Sequence, residues 1–253
     1  MPLATKWRFI HRGLKTRFLD HRAELAALLA GLSPADVAVD VGAHKGSFVW
    51  SLSRAVPKGR VVAFEPQPYL AGYLRDACKA ARLDNVVVEA AGVSDGRGTA
   101  ALSVIDSGTH SHGASFEAAL ADRERCRVIE VPTLALDDYF RGQPAHIGAI
   151  KIDAEGHELA VLKGAAGIIA AHRPTILCES EDRHKAGGTV AAVIGFMAAQ
   201  NYSGYFFDRS ALRPAAEFDP RIHQRQGQGR FWEAAGYCNS FLFTPQPLTA
   251  PGS

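Results

Sequence analysis

The chain has 253 residues, 47% of them hydrophobic, enough for one large α/β domain with an appendage or for two small domains. A net charge of +2 lacks the basic excess of a nucleic-acid binder. The four cysteines (Cys78, Cys126, Cys178, Cys238) include no C-x-x-C and read as buried or free thiols in a reducing compartment, not as a disulfide frame or zinc site. The N-terminus has no apolar signal core. The apolar run Val190 to Ala199 is too short to cross a bilayer and contains Gly195. The default is a soluble cytoplasmic protein.

Residues 1–32 read as a helical extension ahead of a main domain at 33–253. MPLATKWRFIHRGLKTRFLD is basic and aromatic, and HRAELAALLAGL reads as an amphipathic helix capped by Asp20. Lys6, Arg8, Arg12, Lys15, Arg17 and Arg22 form a positive face that would suit an anionic substrate or a headgroup layer. The favoured reading is plainer: a helix packed on the domain with its charges in water. Ser33-Pro34 marks the boundary.

VAVDVGAHKG (Val37 to Gly46) is the organising stretch. A strand over Val37–Val41 ends in a glycine turn, and a helix is predicted over Ser47–Val56. Strand, glycine turn and helix is how an open α/β sheet holds a nucleotide-like cofactor. VVAFEP closes a second strand, Arg60–Phe64, with Glu65 placed 19 residues after Gly46, where a carboxylate can accept from both hydroxyls of a ribose. Asp40 stands where a dinucleotide fingerprint has its first glycine, and a carboxylate there would repel a pyrophosphate. The pattern suits a ligand with an ammonium group and no phosphate, the form of S-adenosylmethionine.

Further along, a helix is predicted over Tyr69–Arg82 and a third strand over Asn85–Ala90. Ser94-Asp95-Gly96 is a turn that could set Asp95 against an adenine, or a plain turn. Thr99–Val104 and Arg127–Val131 read as a strand pair around the polar loop Asp106 to Cys126. His110 and His112 in that loop, one residue apart, read as loop residues rather than metal ligands. A short helix is predicted over Leu134–Phe140.

Strand four, Ile147–Ile152, runs into Asp153, Glu155 and Glu158, followed by a helix reaching Gly164. Strand five, Pro174–Cys178, ends in Glu179-Ser180-Glu181 with His184 behind. Alternation of strands and helices predicts a parallel sheet, whose ligands bind at the carboxyl ends of the strands. Asp153 then shares a rim with Asp40 and Glu65. Glu158 reads as a helix N-terminal carboxylate. After a helix over Thr189–Gln200, Tyr202–Phe207 and Asn239–Phe243 predict an antiparallel hairpin at the sheet edge, separated by a polar excursion, Asp208 to Trp232, that is a lid or an exposed insertion.

DVGAHKG, FEPQP, VSDGRG, KIDAEGHELAVLKGA, ESE, GYFF and NSFLF together resemble the FkbM-type methyltransferases over roughly residues 37–245. The resemblance implies a Rossmann-like class I methyltransferase sheet of seven strands with the last antiparallel. It implies S-adenosylmethionine as cofactor and O-methylation of a sugar, lipid or natural-product hydroxyl. It places Asp40, Gly42, His44 and Gly46 at the methionine part, Glu65 with Pro66 at the ribose, Ser94 and Asp95 by the adenine, and Asp153 beside the sulfonium or the acceptor.

An alcohol needs a base to become a good nucleophile. The candidates are Asp153, His157, Glu181 and His184. Asp153 is the best placed of them, and the histidines have the most suitable unperturbed pKa. A divalent-metal-assisted transferase using Asp153, Glu179 and Glu181, or a non-catalytic cofactor-binding adaptor, are the alternatives. A short-chain reductase would need Tyr-x-x-x-Lys, which the chain lacks. No resident metal, no nucleic-acid partner and no membrane contact are predicted.

Overall fold

The computed structural model describes residues 3–105, 126–184, 189–229, 231–234 and 236–248. The chain begins with α1 (Leu3–Lys15), a π-helical turn (Thr16–Asp20) and α2 (Arg22–Leu29). It then alternates through β1 (Val37–Val41), α3 (Val49–Ala55), β2 (Arg60–Phe64), α4 (Pro68–Ala81) and β3 (Val86–Glu89). β4 (Gly92–Val93), β5 (Gly98–Ile105) and β6 (Cys126–Leu134) follow, then α5 (Leu136–Tyr139), β7 (Ile147–Asp153), α6 (Glu158–Lys163), α7 (Ala166–His172) and β8 (Thr175–Glu179). The last part holds α8 (Thr189–Ala199), β9 (Ser203–Asp208), β10 (Ala211–Pro214), α9 (Pro220–His223) and β11 (Ser240–Thr244).

Eight strands form one sheet in the order β10-β9-β11-β8-β7-β1-β2-β3. β3, β2, β1, β7 and β8 run parallel. β11 is antiparallel to both β8 and β9, and β10 is antiparallel to β9. Apart from β10, these are the seven expected strands with the last one reversed. The extra strand arises inside the excursion read from sequence as lid or insertion, where Ala211–Pro214 turns back along Phe207 and Tyr205. The late strands also form no simple edge hairpin, because β11 slots between β8 and β9 and leaves β10 at the edge. β4, β6 and β5 make a separate small sheet, with β5 and β6 antiparallel over their whole length.

Both faces of the central strands are covered, which is why VAVDV and IGAIKI are nearly continuous apolar runs. Val39, Val41, Ile150 and Ile152 pack under Leu162, Ile169 and Val193 on one face. Ala38, Leu177 and Leu242 meet Leu25 and Leu28 of α2 and Leu52 of α3 on the other. Phe9 of α1 is fully buried with Val49, Ala71 and Leu74. Each such side chain contributes roughly 1.5–3 kcal/mol by leaving water. The apolar faces of α1 and α2 are therefore part of the core, while Arg8, Lys15, Arg17 and Arg22 stay exposed. Among the described residues, Cys78, Cys178 and Cys238 are buried and free.

Two local expectations fail. Asp20 does not cap α2: it pairs with Lys15 Nζ at 3.0 Å, and the cap position belongs to His21, which makes no side-chain cap bond. The helix predicted from Ser47 begins only at Val49, because the preceding residues stay in the glycine turn. The loop Asp106 to Cys126, with His110 and His112, lies outside the described residues except for Cys126, the first residue of β6.

Candidate active site

The site begins with Asp40, which is 1% exposed because β1 is buried on both faces. In the neighbouring strand its register partner is Lys151, itself 4% exposed. Lys151 Nζ lies 3.7 Å from Asp40 Oδ1 and 3.3 Å from Asp153 Oδ2, donates to Gly42 O at 3.4 Å, and sits 5.4 Å from the centre of the Phe48 ring. Burial would lower the ammonium's pKa, but Asp153, Asp40 and Glu179 reverse that and hold it charged. Burial raises Asp40 to about 6, opposed by Lys151, and its Oδ1 has no hydrogen-bond partner among the described residues.

The turn after β1 cannot be built from other residues. Gly42 has φ +73°, and a Cβ there would lie 1.9 Å from Asp153 O. Gly42 and Ala43 both donate to Phe64 O at 3.0 Å, which ties the turn to the end of β2. His44 has φ +47°, and its N–H donates to Glu65 Oε2 at 2.7 Å. Gln67 N–H donates to Glu65 Oε1 at 3.0 Å. Glu65 is 3% exposed, and burial pushes its carboxyl up to about 7 against these two bonds, which favour the carboxylate.

Gly42, Glu65 and Asp153 converge on one cavity of about 200 Å³ at the carboxyl ends of β1, β2 and β7. Val41, His44, Pro66 and Gln67 complete one side, while Ala91, Gly92, Val93 and Leu102 form an apolar wall from the β4–β5 region. Glu155 closes the third side in a turn where it has φ +48° and Gly156 φ +99°. Its Oε2 lies 3.0 Å from His184 Nε2. Burial works against the charge on His184, but Glu155 and Glu181 outweigh it and raise its pKa.

The remaining sequence candidates lie around this centre. Gly46 (φ +79°) packs the turn on the core: a Cβ would meet Leu74 at 2.6 Å and Phe9 at 2.7 Å. Ser94 and Asp95 lie past the cavity wall. Ser94 Oγ is 2.9 Å from His157 Nε2, and Asp95 is exposed. Glu181 accepts from Arg183 Nη2 at 2.9 Å and from Tyr237 Oη at 2.5 Å, and Arg183 stacks 4.5 Å from the Trp232 ring. Glu179 is in register with Asp153, and burial together with Asp153 raises its carboxyl well above the usual range. Glu158 is the helix N-terminal carboxylate expected, the first residue of α6, and is 1% exposed. It accepts from Gly156 N at 2.7 Å and is pushed to about 7 by burial. Among the described residues, no three His, Cys, Asp or Glu side chains are grouped to hold a metal ion.

Lys151 was the main residue missed. Its signal is a single cation in an otherwise apolar strand, two residues before Asp153. Leu102 and Ala91–Val93 carried no comparable signal, because they reach the cavity through the small sheet.

The residues present fit an adenosyl amino-acid cofactor. The turn at Gly42 has room for backbone only, Asp40 Oδ1 has no hydrogen-bond partner among the described residues, and Glu65 stands beside the cavity. The fold is similar to that of the FkbM methyltransferase from Methylobacillus flagellatus KT, at 15% identity with a TM-score of 0.53, covering 84% of this chain and 44% of that one. It is also similar to cofactor-bound Rv0187 from MTB, at 17% identity with a TM-score of 0.51, covering 97% and 92%. The chain thus spans less than half the length of the Methylobacillus protein. A search of the curated proteins finds no match. The sheet is that of the class I methyltransferase fold. The pattern described as the methyltransferase FkbM domain matches residues 40–203, and the chain belongs to that family. S-adenosylmethionine is its cofactor. No described helix is long and apolar enough to cross a membrane.

Proposed function

We propose that the chain methylates a hydroxyl group of a sugar, glycolipid or natural-product acceptor in the cavity between Gly42, Glu65 and Asp153. The observation that supports this most is the meeting of three strand ends on one cavity whose lining includes Glu155, a carboxylate paired from behind with His184. When bound, the cofactor supplies a methyl group on a positively charged sulfur, an electrophile with a good leaving group. The turn from Asp40 through Gly42, His44 and Gly46 would hold its amino-acid end. Glu65 would hold the ribose diol, because each carboxylate oxygen keeps a second lone pair after accepting from His44 and Gln67. Pro66, beside Glu65, lines the same wall.

What the protein adds is mainly alignment, which can account for about 7–11 kcal/mol of a barrier. Asp153 and the Glu155–His184 pair are the groups placed to take the acceptor proton, a step expected to contribute about 10²–10⁴-fold. His157 and Glu181 are engaged away from the cavity by Ser94, Arg183 and Tyr237.

The test is calorimetric titration with S-adenosylhomocysteine and NADH, repeated on Glu65→Ala, followed by labelled methyl transfer to a panel of sugar and lipid alcohols. Saturable S-adenosylhomocysteine binding, weakened in the variant, with label on an alcohol, is the expected result. Binding without transfer to any alcohol would favour the adaptor role.

A further inference from the structure

A second concavity, of about 750 Å³, opens behind the glycine turn, between α1, the π-helical turn and Ser47. Arg8, Arg12 and Lys15 give it three permanent positive charges, and His11 and His21 add two imidazoles. Asp20 is the only acid among the described residues lining it, and Asp20 is ion-paired with Lys15. Arg12 is fixed in place, its Nη1 donating to Lys45 O at 3.0 Å. Trp7 stands at the cavity with its indole 61% exposed.

One stretch of chain serves both cavities. His44 lines the first and Ser47 the second. The His21 ring lies 5.6 Å from Phe48, Phe48 lies under Lys151, and Lys151 bonds Asp153.

We propose that this second cavity binds a phosphorylated sugar, at a site separate from the cavity in which transfer takes place. Guanidinium forks match phosphate oxygens in geometry and charge, and a flat exposed indole suits the apolar face of a sugar ring. The volume is in the range of small-molecule sites. A carboxylate-rich first cavity would repel such a phosphate, so the cationic side of the turn is where it fits.

The experiment titrates the full chain with glucose 6-phosphate, inorganic phosphate, glucose and, separately, S-adenosylhomocysteine. It compares wild type, the exposed double variant R8Q/K15Q, and Arg17→Gln, which removes a charge outside the cavity. The expected result is binding of glucose 6-phosphate and of phosphate but not of glucose. Binding should weaken about tenfold or more in R8Q/K15Q, as loss of charge-assisted bonds predicts, with Arg17→Gln and all S-adenosylhomocysteine affinities unchanged. Equal weakening in Arg17→Gln would show diffuse charge only and overturn the proposal. A fall in S-adenosylhomocysteine affinity in R8Q/K15Q would assign these cations to the cofactor instead. Binding only to phosphatidylcholine vesicles containing phosphatidylglycerol would make this a membrane-docking face. Phosphate binding by a chain that does not bind S-adenosylhomocysteine at all would remove the methyltransferase reading and leave this inference standing, whereas the reverse pattern would remove this inference alone.

Discussion

The two halves of the ligand edge are built by different means. At the ends of β1 and β2 the cradle is made of backbone: positive-φ turns, amide-to-carboxylate bonds, and carboxyl groups left poorly solvated. At the end of β8 and beyond, the rim is made of side-chain pairs between distant residues, such as Glu155 with His184 and Glu181 with Tyr237. The first construction is rigid and intolerant of any added atom. The second can lose one partner and keep its shape, and so is the half free to change with the acceptor.

Gly42→Ala should have the largest effect. The methyl would collide with Asp153 O in a backbone conformation that costs about 1–3 kcal/mol by itself. S-adenosylhomocysteine binding should become undetectable by calorimetry, with a lower urea midpoint. Asp153→Asn should then separate chemistry from folding. Turnover falls by about 10²-fold or more while the urea midpoint stays close to that of the wild type. Wild-type turnover in that variant would remove Asp153 from the mechanism.

The poorly solvated carboxyls predict a pH dependence opposite to that of a salt-bridged protein. Glu65 and Glu158 have folded values near 7 against an ordinary 4.5, so the folded chain binds more protons than the unfolded one between those values. Stability should fall as pH rises from about 4.5 to about 7, by on the order of 3 kcal/mol for Glu65 alone. His184 acts in the same direction: its contribution is full below its unfolded value of 6.5 and is lost as pH climbs through its raised folded value. Urea titrations across this range, with Glu65→Gln flattening the slope, check the sign. On the rim, Tyr237→Phe should cost only about 1–2 kcal/mol, the worth of one hydrogen bond to a charged group. The exposed pair Arg213–Glu217, whose charges lie in water, should show no resolvable coupling in a double-mutant cycle.

That contrast also decides what the sequence reveals. The cradle is local, so Asp40, Gly42, Gly46 and Glu65 could be read from spacing alone. Strand positions follow from apolar runs, and most expected strands lie within a residue or two of the observed ones. The rim depends on residues brought together from far apart: nothing in the spacing of Ser94 and His157 announces a 2.9 Å contact. Lys151 was hidden by the rule that identified its strand, since a run read as apolar draws attention away from its one charged member. β10 was concealed by composition, because ALRP sits in a stretch rich in arginine and proline and has no alternating pattern.

The position of β11 has a consequence for how the protein is made. Among the described residues, β8 and β9 do not pair with each other, and the element that hydrogen-bonds both is Ser240–Thr244. During synthesis each presents an open edge until these residues leave the ribosome, and α2, made first, waits for the same strand to complete the surface it packs on. The sheet therefore closes like a zip whose slider arrives after both of the edges it joins. A chain stalled a few residues before Ser240 would carry every residue of the cofactor cavity and still expose two adhesive edges, which makes synthesis of β11, rather than assembly of the cofactor site, the step that protects it from aggregation.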